Sequence, residues 1–215
     1  MTTLADEIKA FQTNFLPKVP KDAMKAILST TEDLVKSGIA TKGLQKGDRF
    51  PNFSLPNAQG QEVSLQNLLK DGPAIINFYR GSWCPYCNFE LKAYQDRLEQ
   101  IKQLGGQLIA ITPQQPDNSL FDIEKHALQF EVLSDLGNKL SQEIGIAFSL
   151  DEKLKPIYTE FGFSLSDYNG DDDWVLPIPA TYIIDTEQTI RHAYIDADYT
   201  TRAEPDSVVE ALKNL

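Results

Sequence analysis

Cysteine is nearly absent from this chain. Cys84 and Cys87 are the only two in 215 residues, and His126 and His192 are the only histidines. Such scarcity excludes a disulfide-stapled scaffold. It also leaves a four-ligand zinc site without donors, unless both histidines converge from distant elements or a second chain contributes. Long hydrophobic runs are missing too. No apolar stretch approaches the roughly 18 residues of a membrane-spanning helix. The start, "MTTLADEIKAFQ", has no basic segment followed by an apolar one, so no secretory signal is read. These absences describe a soluble, cytoplasmic protein with no membrane partner. In that reducing compartment two cysteines argue against a structural bridge. Basic charge is short as well: 20 Lys and Arg face 31 Asp and Glu, for a net charge of −11. Binding a phosphate backbone needs clustered cations, so nucleic acid is excluded as a partner. The densest acidic run, Gly170–Trp174, reads as a solvated loop without the register of a hard-cation site. No internal repeat or low-complexity segment is present.

What remains is a patterned chain. Residues 1–45 read as a helical arm, with Leu4, Ile8, Phe11 and Phe15 near helical spacing. A second helix carries Met24, Ile27, Leu28 and Leu34 and stops at Gly38, and Pro17 and Pro20 separate the two. The arm shows no chemistry and reads as a packing or dimerising element, so a homodimer is one expectation. From Lys46 to the C-terminus the chain reads as one domain. Short alternations around "FPNFSLPNAQGQEVSL" predict a hairpin and then a short helix at Ser64–Leu69. "PAIINFY" and "QLIAIT" are short apolar runs that predict buried strands. Between them Leu91, Tyr94, Leu98 and Ile101 predict one helix ending at Gly105-Gly106. Further on, a helix over Ser119–Leu128, a strand near Glu131–Leu133, a helix at Lys139–Ile144, the paired strands "ATYIID" and "IRHAYID", and a C-terminal helix are predicted. An insertion occupies about 150–177. Strands alternating with helices imply an α/β fold with a mostly parallel or mixed sheet covered on both faces.

Both cysteines fall where a buried strand gives way to a helix, in "FYRGSWCPYCNFEL". Cys84 takes the N-cap, Pro85 the first helical position, to which proline is suited, and Cys87 the first turn. A helix N-terminus offers free N–H groups and partial positive charge, which stabilise a thiolate. A spacing of three puts both sulfurs on one face, within reach of each other. The reading is a reversible redox dithiol, since strand–CxxC–helix is the context such a pair requires.

"WCPYC" resembles the active-site motif of the thioredoxin superfamily. "PATYIID" is similar to the later strand of that fold, where a cis-proline faces the dithiol, and this resemblance makes Pro179 the cis-proline candidate. A closer resemblance covers residues 46 to about 200. "KGDRFPNFSLPNAQGQEVSLQNLL", "VLSDLGNKLSQEIGI" and "ATYIIDTEQTIRHAYID" resemble the peroxiredoxins of the AhpC/TSA family. That family carries P-x-x-x-T-x-x-C. Aligned without gaps, Cys87 takes the peroxide-attacking position, Cys84 replaces the threonine and Arg80 the proline. The place of the family's distant arginine falls at Pro179. The resemblance thus implies a thioredoxin fold of peroxiredoxin-like type, in a subgroup with CxxC for TxxC, lacking the usual orienting groups at their usual places. Asn77 stands near where thioredoxins hold a buried Asp. Asn takes no proton, so a base must come from elsewhere.

Around the dithiol, Arg80 lowers a thiol pKa or binds a substrate carboxylate, or is a solvated loop cation. Trp83 covers the dithiol, or is a packing aromatic. Tyr86 is expected to be exposed and to tune substrate choice. His126 and His192 read as surface and sheet residues. The expected activity is thiol–disulfide redox chemistry through Cys84 and Cys87 with no bound cofactor, re-reduced by thioredoxin, glutaredoxin or glutathione. The oxidant is a hydroperoxide or a disulfide. A redox sensor whose disulfide state selects partners is the alternative. Cys84, nearer the helix start and more exposed, is expected to attack and Cys87 to resolve.

Overall fold

The computed structural model describes residues 2–215. Its centre is a five-stranded mixed sheet in the order β5-β4-β3-β8-β9. The strands are β3 (Ala74–Phe78), β4 (Gln107–Thr112), β5 (Glu131–Ser134), β8 (Ala180–Ile184) and β9 (Ile190–Ile195). β3 pairs in parallel with β4 and antiparallel with β8, placing it mid-sheet with every residue buried. Burial on both faces explains why β3 reads as an unbroken apolar run rather than an alternation. Asn77 is its one polar residue.

Ahead of β3, β1 (Ser54–Pro56) and β2 (Glu62–Ser64) form the expected hairpin, and Ser64 caps the short α4 (Leu65–Leu68). The arm comprises α1 (Leu4–Phe15), α2 (Lys21–Lys36) and α3 (Ile39–Lys42). It is fastened at its start: the Glu204 carboxylate accepts from the backbone N–H groups of Leu4 at 3.1 Å and Ala5 at 2.7 Å. A carboxylate there satisfies free N–H groups and faces the positive end of the helix dipole. The chain between β4 and β8 carries α7 (Pro116–His126), α8 (Lys139–Glu143), α9 (Leu154–Glu160) and α10 (Leu165–Asn169). It also holds a two-stranded antiparallel ribbon of β6 (Ala147–Ser149) and β7 (Val175–Pro177), which flanks the 150–177 stretch and had no legible alternation. α11 (Pro205–Lys213) closes the chain.

Two expectations are corrected. The single helix expected to run to Gly105 is two, α5 (Pro85–Gln95) and α6 (Leu98–Gln103). The break lets one apolar run serve two cores: Tyr86, Cys87 and Leu91 join the cluster around the dithiol, whereas Leu98 and Ile101 pack with Val208 and Leu212 of α11. Pro179 is not cis, for no cis peptide occurs among the described residues. It lies buried on an extended path from one sheet to the next. The Ile178 N–H donates to the Ile146 carbonyl at 2.9 Å and the Pro179 carbonyl accepts from Asp196 at 3.3 Å. A chain held straight by these bonds has no turn for a cis bond to make.

Candidate active site

β3 delivers the chain to Tyr79, and the next five residues form a tight approach to α5. Gly81 has φ of +149°, and a Cβ there would lie 2.4 Å from Trp83 Nε1. Only glycine lets the indole close over this loop. The Ser82 backbone N–H and hydroxyl both donate to Gln114 Oε1 at 2.7 Å, and Asn88 Nδ2 donates to the Ser82 carbonyl at 2.9 Å. Cys84 is thereby held as the N-cap of α5 in extended conformation, with Pro85 in the first helical position.

Cys84 and Cys87 are free thiols that approach to 3.0 Å. Both are buried, Cys84 at 1% exposure, so the expected exposure of Cys84 is corrected. The arm and the segment carrying α9 cover it: Leu4, Ile8, Leu154 and Tyr158 belong to the same apolar cluster as the two sulfurs. The two thiols still differ in surroundings. Cys84 lines a cleft of about 500 Å³, and Cys87 lies behind it. Burial pushes the Cys84 thiol up. The hydrogen bond from Cys87, the charges of Arg80 and Arg202, and the backbone N–H of Cys87 outweigh it and bring Cys84 down to about 6. Cys87 is pushed well above its ordinary value by burial, by the hydrogen bond it gives to Cys84 and by the charge on Cys84. One ionised sulfur beside one protonated sulfur is the arrangement a thiol–disulfide cycle starts from.

The cations come from unexpected directions. Arg80 is no solvated loop residue: it is 2% exposed. Its Nη2 donates to the Tyr158 hydroxyl at 2.6 Å, and its guanidinium lies 4.3 Å from the Tyr199 ring centre and 4.9 Å from that of Trp83. Aromatic faces substitute for water around a guanidinium, which stays charged under such burial. Arg202, on the loop between β9 and α11, reaches the other side of the dithiol. Its Nη2 donates to Cys87 Sγ at 3.4 Å, its Nε pairs with Glu90 Oε2 at 2.9 Å, and its Nη1 donates to the Thr201 carbonyl at 2.8 Å. Glu90 is buried on α5 and accepts from Asn77 Nδ2 at 3.0 Å, while Asn77 also donates to Thr181. Burial raises the Glu90 carboxyl to about 7 against the pull of Arg202. The proton-accepting group that Asn77 cannot supply thus stands directly against Asn77.

Of the residues singled out in the sequence, the fold gathers Arg80, Trp83, Cys84 and Tyr86 along one cleft and sets Cys87 beneath it. Trp83 is buried against Tyr158 and Phe163. Tyr86, expected to be exposed, is buried with its ring edge-on to Phe11 of the arm and Tyr199. Neither His126, which ends α7, nor His192, opposite Ile183 in the sheet, lines the cleft. Among the described residues no group of three or more His, Cys, Asp or Glu comes together as metal ligands. Sequence reading missed Glu90, Tyr158, Tyr199 and Arg202. Glu90 alone had a signal, lying three residues after Cys87 and so on the same helical face.

The family model of the AhpC/TSA family matches residues 46–193, more than half of the chain. The chain belongs to the AhpC/TSA family. Among curated proteins it is 29% identical over 175 residues to peroxiredoxin Q, chloroplastic, of Oryza sativa subsp. japonica, covering 81% of this chain and 69% of that one. It is 25% identical over 170 residues to peroxiredoxin Bcp of Escherichia coli strain K12, covering 79% and 96%. Among solved structures, peroxidoxin BcpB from Mycobacterium tuberculosis superposes with a TM-score of 0.64 at 19% identity, over 80% of this chain and 98% of that one. The fold is accordingly a thioredoxin fold of peroxiredoxin type, and the protein is a thiol-dependent oxidoreductase of that kind. Of the two cationic groups at the dithiol, Arg80 lies within the matched residues and Arg202 beyond them.

Proposed function

We propose that this AhpC/TSA protein reduces hydroperoxides with Cys84 as the attacking thiolate and Cys87 as the resolving thiol. The observation that carries the reading is the placement of the pair: Cys84 faces the cleft and Cys87 lies 3.0 Å from it with its proton retained. In the first step Cys84–S⁻ attacks one oxygen of R–O–O–H. An S–O bond forms, the O–O bond breaks, Cys84 becomes a sulfenic acid, and the alkoxide takes up a proton and leaves as an alcohol. Arg80, beside Cys84 in the cleft wall, offsets the charge developing on that oxygen. In the second step Cys87 attacks the Cys84 sulfur, a disulfide forms, and the hydroxyl leaves as water. The Glu90 carboxylate, which titrates at about 7 and is linked to Cys87 through Arg202, takes the Cys87 proton and returns it to the departing hydroxyl, completing the water. Two electrons have passed from the dithiol to the peroxide. A thiol donor of the thioredoxin, glutaredoxin or glutathione class returns them by exchange at the disulfide. A reducing compartment such as the cytoplasm suits that cycle.

A protein disulfide as principal oxidant fits less well, because a bulky partner cannot touch a sulfur at 1% exposure beneath arm and insertion. One observation favours exchanged roles: the Arg202 guanidinium sits on Cys87 rather than Cys84. Single-turnover oxidation of the two serine variants decides. Cys87→Ser is expected to consume one equivalent of hydrogen peroxide and to hold a sulfenic acid at Cys84, and Cys84→Ser to consume none at a comparable rate. A sulfenic acid at Cys87 in Cys84→Ser, formed at the wild-type rate, overturns the assignment.

A further inference from the structure

Helix α2, in the arm and outside the residues that match the family, carries two apolar stripes and uses one. Ala23 is buried, Ala26 and Ile27 pack against the cluster around the dithiol, and Leu34 packs against the sheet. Met24, Leu28 and Val35 join no apolar cluster among the described residues, and Leu28 and Val35 stand 54% and 49% exposed. Thr31 falls in line with them. Its hydroxyl is spent on the Ile27 carbonyl at 2.8 Å, which leaves its methyl for packing. This second stripe runs along the mouth of the cleft, and the exposed Phe15 and Leu16 at the end of α1 line the same mouth. Elsewhere among the described residues only Leu104, Leu136 and Leu215 are large, apolar and exposed. An apolar face gathered in one place marks a contact surface, and a net charge of −11 turns it away from phosphate-bearing partners.

The spacing of the stripe identifies the occupant. Residues 24, 28, 31 and 35 repeat by four, three and four, which is the seam of a coiled coil. Two such seams laid antiparallel set Met24 against Val35 of the second copy and Leu28 against Thr31 of the second copy, each contact made twice about a two-fold axis. The flanking charges fit the same register. Lys25 and Glu32 each follow a seam residue by one, so Lys25 of either copy falls between the same two layers as Glu32 of the other. A parallel pair would set Lys25 against Pro20 and Glu32 against Ile27, and would align the two helix dipoles. Within one helix Lys25 and Glu32 are seven positions apart and do not pair. Glu32 reaches only Lys36, in an exposed pair at 3.6 Å that holds it weakly.

We infer that α2 pairs antiparallel with α2 of a second copy of this chain, each copy closing the mouth of the other's cleft above Cys84. The pairing covers the stripe that the fold of one chain leaves bare. It does not depend on which oxidant the dithiol reduces.

Sedimentation velocity of the full chain over a dilution series tests it, with circular dichroism to confirm that each variant is folded. Wild type is expected to be a dimer, and Leu28→Asp a monomer at the same concentrations. Lys25→Glu and Glu32→Lys should each weaken the dimer about tenfold, as two attractive pairs become repulsive together. The double variant Lys25→Glu/Glu32→Lys should recover most of that loss, because both pairs are rebuilt with their signs exchanged. Cys84 should be alkylated by a bulky maleimide faster in Leu28→Asp than in wild type. A wild type that is monomeric throughout overturns the inference, as does a dimer that Leu28→Asp leaves intact, since the copies then meet elsewhere. A double variant no better than either single variant overturns the antiparallel register. Equal maleimide rates overturn the closure of the cleft. A monomer that binds added thioredoxin, and loses it in Leu28→Asp, gives the face to an electron donor and overturns the pairing. Each outcome is read from association or alkylation rather than peroxide turnover, so the peroxidase reading stands or falls separately.

Discussion

Replacing Arg202 with methionine removes one charge from a buried set of four groups, and the loss should depend on pH in a calculable way. In wild type the guanidinium pairs with Glu90 at 2.9 Å and donates to Cys87 at 3.4 Å, with both side chains of the ion pair almost wholly buried. Deleting one partner of such a pair leaves an uncompensated charge and costs about 3–5 kcal/mol. Glu90 has one escape, which is to protonate. At about 1.36 kcal/mol per pH unit, neutralising a carboxyl of ordinary value 4.5 costs about 5 kcal/mol at pH 8 and about 1 kcal/mol at pH 5.5. The folded value, about 7, lies above the unfolded one, so the stability linked to Glu90 is complete at low pH and is lost as pH rises from about 4.5 to 7. Without Arg202 the folded value climbs further and the loss continues to higher pH. Wild type, with Glu90 at about 7, already carries about 3 kcal/mol of the roughly 5 kcal/mol cost at pH 8 and all of the cost at pH 5.5. Urea unfolding in a Cys84→Ser background, where the thiolate makes no contribution, should therefore show Arg202→Met more destabilised at pH 8 than at pH 5.5 by about 1–2 kcal/mol. Adding Glu90→Gln should abolish that difference between the two pH values, because the titrating carboxyl is gone. A loss equal at both pH values, or one to which Glu90→Gln simply adds, would refute the reasoning.

Other consequences follow from the same geometry. With Cys84 titrating at about 6, its alkylation by iodoacetamide should fall about tenfold between pH 7 and pH 5 as the thiolate protonates. Arg80→Met should move that midpoint upward by about a unit, since a nearby cation favours the thiolate, and an unmoved midpoint would remove Arg80 from the account. Glu90→Gln should leave Cys84 alkylation unchanged yet slow disulfide formation after peroxide by about tenfold or more, seen as sulfenic acid trapped by dimedone; unaltered disulfide formation would exclude Glu90 as acceptor of the Cys87 proton. Gly81→Ala drives a Cβ to within 2.4 Å of the Trp83 indole, so a loss of about 2–3 kcal/mol with altered tryptophan fluorescence is expected, and wild-type stability would contradict the packing.

Where the chemistry is local, the sequence already contained it. β3 is apolar throughout because both its faces are covered. Cys84, Pro85 and Cys87 fall at helix positions set by a spacing of three and by proline's fixed geometry. The family resemblance followed from stretches that each make one local unit: the β1–β2 hairpin, β5 with α8, and the β8–β9 pair. Tertiary structure decided the surroundings of the sulfurs. Nothing around "TTRAEP" announces that Arg202 reaches a sulfur 115 positions earlier. The Asp196–Glu204 loop had to be laid across the end of α5, where Tyr199 then covers Arg80, Arg202 meets Glu90, and Glu204 fastens the arm. The burial of Cys84 likewise depends on α1, α2 and α9 meeting above it, and the trans peptide at Pro179 on hydrogen bonds to two other segments. Helical and strand periodicity record how each residue faces its immediate neighbours. The charge and accessibility of a buried thiol depend on groups brought within a few ångströms by packing, and their separation along the chain leaves no periodic trace.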